Sequence, residues 1–269
     1  MSPDMGVRGK FVFGLGLLAI IAVLFTLSVL RQSARPTPVS CAAEVQPVAH
    51  ARREPDEPVR PLRRDGFERL FQAGLTVRAG EQDAVVEAVD VDQLDLPTGR
   101  LVAYDPTSVN VNVPPTPFLT TVPPGRYQVS LARVRFVADA EHSRVAAAKL
   151  SVRPDPVVRW ELALVAGQDP AKLGPRTFFG YGVDSGYGAF FDASAVSAVC
   201  RLLGDMEGPL MDALVRDVDS AGASVRDSVS GLNVTTFASG WGDGSYPTWI
   251  GYTADGEVAQ FVTDFLVID

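Results

Sequence analysis

Twenty consecutive uncharged residues, beginning at Phe11 and ending at Leu30 (FVFGLGLLAIIAVLFTLSVL), divide this chain into two physically different parts. At ~1.5 Å rise per residue, a helix of that length spans the ~30 Å hydrocarbon core of a bilayer. A cleaved signal peptide has a shorter apolar region and a small-residue cleavage site. Here Arg31 and Arg35 follow directly, which predicts a retained single-pass anchor in the cell membrane. Pro38 stands where a lipoprotein signal needs an aliphatic residue before Cys41. Arg8 and Lys10 on one flank balance Arg31 and Arg35 on the other, so positive charge close to the membrane assigns no side to the C-terminal part.

The anchor leads into residues 31–65, with prolines at 36, 38, 47, 55, 58 and 61. Proline fixes φ and removes a backbone donor, so this segment is expected to be an extended, semi-rigid stalk. Residues 1–65 carry nine Lys/Arg against six Asp/Glu, whereas residues 66–269 carry fifteen against twenty-six. An acidic domain on a basic stalk is repelled by nucleic acid, whose binding rests on neutralised phosphates. The stalk arginines suit anionic lipid headgroups instead. The partners expected are thus the bilayer, through residues 11–30, and a protein.

Residues 66–269 form the expected globular domain. Phe67, Leu70, Phe71 and Leu75 fall at helical spacing and predict one short helix before Gly80. AVVEAVDV, ending near Asp92, follows, and then GRLVAYDP, in which Asp105-Pro106 stops a strand over residues 101–104. Pro123-Pro124-Gly125 is a turn between PFLTTV and the alternating strand RYQVSLARVRFV. RVAAAKLSV and VVRWELALV extend this into a predicted meander. FFGYGVDSGYGAFFD predicts a hairpin turning at Asp184-Ser185-Gly186, with Gly180 and Gly182 baring one strand face to close approach. Asp192 fits a helix N-cap, and residues 193–203 and 209–218 predict two short helices over one sheet face. Residues 221–231 read as a loop and 233–238 as a strand. GWGDGSYP is a tight glycine turn feeding a hairpin across Asp255-Gly256, whose second strand is apolar on both faces and therefore central. The fold class expected is α+β, mainly β: an antiparallel sheet or sandwich of hairpins with two or three short covering helices, behind one transmembrane helix.

Catalytic signatures are sparse. His50 lies in the stalk and His142 in the polar turn DAEHSR, so neither is placed as the base of a Ser/His/Asp set. Two cysteines without a C-x-x-C pattern do not make a zinc site, and a Cys41–Cys200 disulfide would persist only outside the cytoplasm. The Gly-x-Gly pairs open no helix after a strand, and no Gly-Lys-Ser/Thr occurs, which rejects a nucleotide fingerprint. No cofactor is implied. Asp184, Asp192, Asp243 and Asp264 lie in or near the glycine-rich segments, where paired acids could serve hydrolysis or a hard cation. Ordinary explanations compete: Asp184 in a turn, Asp192 as a cap, Asp243 bonding local backbone. Asp264 differs because it interrupts a buried strand, so it is either paired with a cation such as arginine or edges a site. Trp241, Tyr246 and Trp249 supply aromatic surface beside these acids.

GRLVAYDP, PFLTTVPPGRYQVSLA, VVRWELAL, FFGYGVDSGYGAFFDA and SGWGDGSYPTWIGYTADGEVAQFVTDF occur in one order that resembles a bacterial family catalogued as domain of unknown function 4241. The resemblance runs from about Leu94 to the C-terminus. It implies no activity, so no catalytic role is carried over, and the anchor and stalk depart from a mostly soluble family pattern. The candidate ligand-binding residues are Tyr181, Asp184, Trp241, Asp243, Tyr246 and Asp264. The function expected is a membrane-tethered, non-enzymatic binding module of immunity or sensor type. The alternative is a carboxylate-based hydrolase, with or without a metal, using Asp184, Asp243 and Asp264.

Overall fold

The computed structural model describes residue 63 and residues 65–175, 177–216 and 222–268. The predicted anchor, nearly all of the predicted stalk and Cys41, with its proposed pairing to Cys200, lie outside them. Among the described residues no helix is long and apolar enough to cross a membrane.

Among the described residues thirteen antiparallel strands dominate: β1 (Thr76–Ala79), β2 (Gln82–Leu96), β3 (Leu101–Tyr104), β4 (Gly125–Phe136), β5 (Ser143–Ser151), β6 (Arg159–Leu162), β7 (Tyr181–Val183), β8 (Tyr187–Asp192), β9 (Gly222–Arg226), β10 (Asn233–Ala238), β11 (Gly244–Tyr246), β12 (Thr248–Tyr252) and β13 (Val258–Asp264). Two short helices, α1 (Val196–Leu203) and α2 (Pro209–Arg216), lie between β8 and β9. The mainly-β expectation holds. The strands form a seven-stranded sheet in the order β1-β2-β4-β5-β13-β12-β6, a four-stranded sheet β3-β8-β10-β9, and the pair β11-β7.

Side-chain alternation gives each sheet an inner and an outer face. Leu131, Leu150, Ile250 and Phe261 of the large sheet share the main core with Leu101, Phe190 and Phe237 of the small one. The β7/β11 pair adds Tyr181, Val183 and Tyr246 to that inner core. On the outer face of the small sheet, Val102, Ala189, Phe191 and Val234 are covered by α1 and α2, as the apolar helical stripes predict. Asp192 caps the turn into α1 through the Ser194 N–H at 2.8 Å, and also accepts from Thr98.

The outer face of the large sheet carries Ala132, Ala147, Val262 and Trp249. The two alanines are register partners on β4 and β5. Phe67 and Leu70 pack onto this face, and Phe67 meets Trp160 edge-on at 4.7 Å and stacks on Trp249 at 5.4 Å. The predicted short helix is present as a five-residue 3-10 helix (Phe67–Phe71), shorter than the spacing out to Leu75 suggests, because Leu75 already leads into β1.

Other departures share one cause, that local turn cues do not choose a strand's partner. The β4, β5, β6 meander is broken, because β13 pairs with β5 and β6 pairs with β12. The segment PFLTTV contributes one bridge, Phe118 to Val165, and no strand. The residues on either side of Asp184-Ser185-Gly186 do turn back, yet β7 pairs with β11 and β8 with β3 and β10, so the two arms belong to different sheets. The segment read as a loop after α2 contains β9, which pairs with β10. The final hairpin of β12 and β13 and the central place of β13 agree with the sequence.

Candidate functional site

The residues named from sequence separate into three places. Asp184, Trp241 and Asp243 come to one exposed tip, Tyr181 and Tyr246 lie in the core beneath it, and Asp264 faces away from both.

The tip is built from two glycine turns. In the first, Asp105 at the end of β3 accepts the N–H groups of Asp184 and Ser185 on one oxygen, at 2.9 and 3.0 Å. Its other oxygen takes the Ser185 hydroxyl at 2.9 Å and the N–H and hydroxyl of Thr107 at 2.9 and 2.8 Å. A buried carboxylate thus replaces a β-ladder as the clamp on this turn. Gly186 follows at φ 75°, a conformation glycine adopts without strain. Its carbonyl accepts the N–H of Ser239, joining the second turn to the first.

In that second turn, Gly240 and Gly242 have φ values of 62° and 112°. The Gly242 N–H donates to the Ser239 carbonyl at 3.0 Å, and the Ser239 hydroxyl donates to the Gly242 carbonyl at 2.9 Å. The buried Tyr246 hydroxyl lies 3.0 Å and 2.7 Å from those same two carbonyls. A side chain at Gly240 would collide with Phe265 and Val267, so this loop is seated directly on the core. Trp241 projects from it and is 52% exposed. One flank of its ring meets Phe136 and His142, at centroid distances of 6.0 and 6.3 Å, and the Arg144 guanidinium lies 5.4 Å from the ring centroid. Asp184 and Asp243 are exposed beside it.

The two tyrosines serve this platform from below. Burial, with the Asp243 charge adding to it, pushes the Tyr246 hydroxyl up to about 12. Burial also raises Tyr181, whose hydroxyl has no hydrogen-bond partner. Thr263 is near enough to offset part of that rise without reaching hydrogen-bond geometry. The bare glycine faces are explained by packing: a Cβ at Gly180 would lie 2.5 Å from the Tyr246 carbonyl oxygen, and one at Gly188 would lie 2.7 Å from the Tyr181 hydroxyl.

Asp264 shares the outer face of the large sheet with Val262, its N–H bonded to the Pro247 carbonyl. It is 3% exposed. One oxygen accepts the Leu266 N–H at 2.9 Å, and the other lies 3.9 Å from the Arg63 Nε. Burial raises it to about 6 against these two stabilising contacts. The expected arginine partner is therefore present, but beyond hydrogen-bond reach of that nitrogen. The sheet separates Asp264 from Asp184 and Asp243, so the three acids do not converge. Among the described residues no group of three or more His, Cys, Asp or Glu is arranged to hold a metal ion.

Asp105 is the residue that sequence reasoning missed. Asp-Pro-Thr announced its local turn, but not its partners 79 and 80 residues away. No curated protein and no solved structure matches the chain. The model of the family described as "Protein of unknown function (DUF4241)" matches residues 94–263, from the end of β2 to the penultimate residue of β13, and the chain belongs to that family.

Proposed function

We propose that this protein is a membrane-tethered, non-enzymatic binding module whose contact surface is the Trp241 tip. The observation that carries the reading is a half-exposed tryptophan held on a turn fixed by hydrogen bonds from Ser239, Gly242 and Tyr246. A large aromatic ring in solvent loses hydrophobic stabilisation, and a rigid mount lowers the entropy cost of using it as an anchor. Tryptophan is among the residues most enriched at energetic centres of interfaces. The flanking Asp184 and Asp243 and the acidic balance of residues 66–269 favour a protein partner with basic rather than acidic surface around an apolar pocket. Tethering rests on the uncharged run from residue 11 to 30. The tip lies inside the span matched by the family and the anchor lies outside it, which supports a shared recognition domain carried here on its own tether.

The test is site-specific photocrosslinking of the full chain in its native membrane. A crosslinker at position 241 should yield a discrete adduct that Asp243→Arg weakens. The same probe at Val229, another exposed apolar residue, should not yield it. Identical adducts from both positions, or none at 241, would refute the contact surface. Deleting residues 11–30 should move the protein from the membrane to the soluble fraction.

A further inference from the structure

A second surface, separate from the Trp241 tip, lies on the outer face of the large sheet. There the strand registers align Gln128, Ser151 and Gln260 in one row across β4, β5 and β13, with Ser130, Lys149 and Val262 in the next. The turn bearing Glu68 and Phe71 rises on one side, and the loop beginning at Arg153 rises on the other. Between them is a groove of about 590 Å³. That is within the ~300–1,000 Å³ typical of small-molecule sites.

Three polar groups on its floor contrast with four well-bonded buried ones elsewhere. Asp105, Asp192, Asp227 and Asn233 are buried, and each is held by several hydrogen bonds. Lys149, Ser151 and Gln260 are half-buried neighbours, and among the described residues their side chains make neither a hydrogen bond nor an ion pair. The Lys149 ammonium lies 4.3 Å from the Phe71 ring centroid. Partial loss of water lowers its proton affinity, an effect that the charges of Asp90 and Glu68 oppose from beyond ion-pair distance. Arg153, the other cation of the groove, is held 3.1 Å from Asp155.

We propose that this groove binds the carboxylate of a small organic acid, with the Lys149 ammonium, the Ser151 hydroxyl and the Gln260 amide as its three donors. A carboxylate accepts up to about four hydrogen bonds, so it can use all three donors together. One cation without an ion-pair partner matches a single negative charge. A dianionic phosphate would be opposed by Glu68, and a neutral sugar would leave the ammonium without a counter-charge. The proposal is independent of the Trp241 surface, and either can fail alone.

The test is calorimetric titration of the purified full chain with the monocarboxylates acetate, lactate and benzoate at constant ionic strength, with glucose and inorganic phosphate as competing chemistries. At least one carboxylate should bind saturably. Lys149→Met, which keeps the stem against Phe71, should weaken it about tenfold or more, because a charge-assisted hydrogen bond is lost. Ser151→Ala should weaken it by a smaller factor, with near-UV circular dichroism unchanged in both. Should Lys149→Met not fold, Lys149→Gln serves the same comparison. Absence of saturable carboxylate binding, equal affinity in the Lys149 variant, or preferred binding of glucose or phosphate would each overturn the assignment.

Discussion

Asp105 and Asp264 are both buried acids that end or follow an apolar strand, LVAY before one and QFVT before the other, yet their surroundings are opposite. Asp105 is 1% exposed and saturated by donors from its own turn and from the turn between β7 and β8. Asp264 is 3% exposed and receives one backbone N–H and a guanidinium at 3.9 Å. Burial alone therefore does not define a carboxylate's role. The number of donors delivered to it does, because a buried charge is tolerated only as far as hydrogen bonds and counter-charges replace water. The first acid organises the exposed tip, and the second is held against its own ionisation.

Asp105→Ala gives the largest effect. It leaves the N–H groups of Thr107, Asp184 and Ser185 without their acceptor and unfastens the two glycine turns from β3. A loss of about 3 kcal/mol or more in urea denaturation is expected, from the cost of several stranded donors. Trp241 fluorescence should shift with it as the tip loosens. A loss under about 1 kcal/mol would mean that the turns hold themselves and that Asp105 is incidental.

Asp264→Asn should act in the opposite direction. The carboxyl binds its proton more tightly in the fold, near 6, than in the unfolded chain, near 3.8. Its contribution therefore favours the fold when protonated, and this advantage fades as pH rises through about 6. The gap amounts to about 3 kcal/mol at most. Asparagine keeps the acceptor for Leu266 and carries no charge, so the variant should be more stable than the parent at pH 7 to 8 by up to that ~3 kcal/mol. The difference between variant and parent should shrink between pH 6 and 4. Asp227 has the reverse sign: the Arg201 guanidinium holds it well below the usual carboxylate range, so its contribution is lost only in stronger acid. A variant less stable than the parent at pH 8 would show that the Arg63 contact outweighs desolvation.

The same pair of residues shows how far the sequence could be read. A charged residue in the apolar run QFVTDFLV stood out without any structure, and so did the Asp-Gly turn that sets β12 against β13, since both are contrasts within a few residues. The tight turn of GWGDG was legible for the same reason. What the sequence withheld was pairing at long range. Both arms of FFGYGVDSGYGAFFD carry strand composition around a turn signal, but the partner of β7 lies some sixty residues on, and no local pattern names it. The outward projection of Trp241 was hidden too, because composition favours burying tryptophan and only the seating of Gly240 against Phe265 and Val267 forces the ring out. Asp264 reads from sequence as either the partner of an arginine or the edge of a site near the glycine-rich segments. The pleat puts that carboxylate on the other side of the sheet.

Arg63→Met carries the smallest and most selective effect. The guanidinium lowers Asp264 from the position burial alone would give it, so removing the charge should move the Asp264 midpoint further above about 6. Carboxyl carbon NMR reads that midpoint directly. Methionine retains much of the apolar stem, and Arg63 has contacts besides Asp264, so the pair is isolated by a double-mutant cycle with Asp264→Asn. A coupling of up to about 1 kcal/mol is expected at pH 8, in line with a partly exposed ion pair of long separation. It should vanish below pH 4, where Asp264 is protonated and offers Arg63 no charge. A coupling that persisted in acid would have to come from packing or hydrogen bonding rather than from charge. The part of the coupling that disappears between pH 8 and 4 is then the contribution of the ion pair itself.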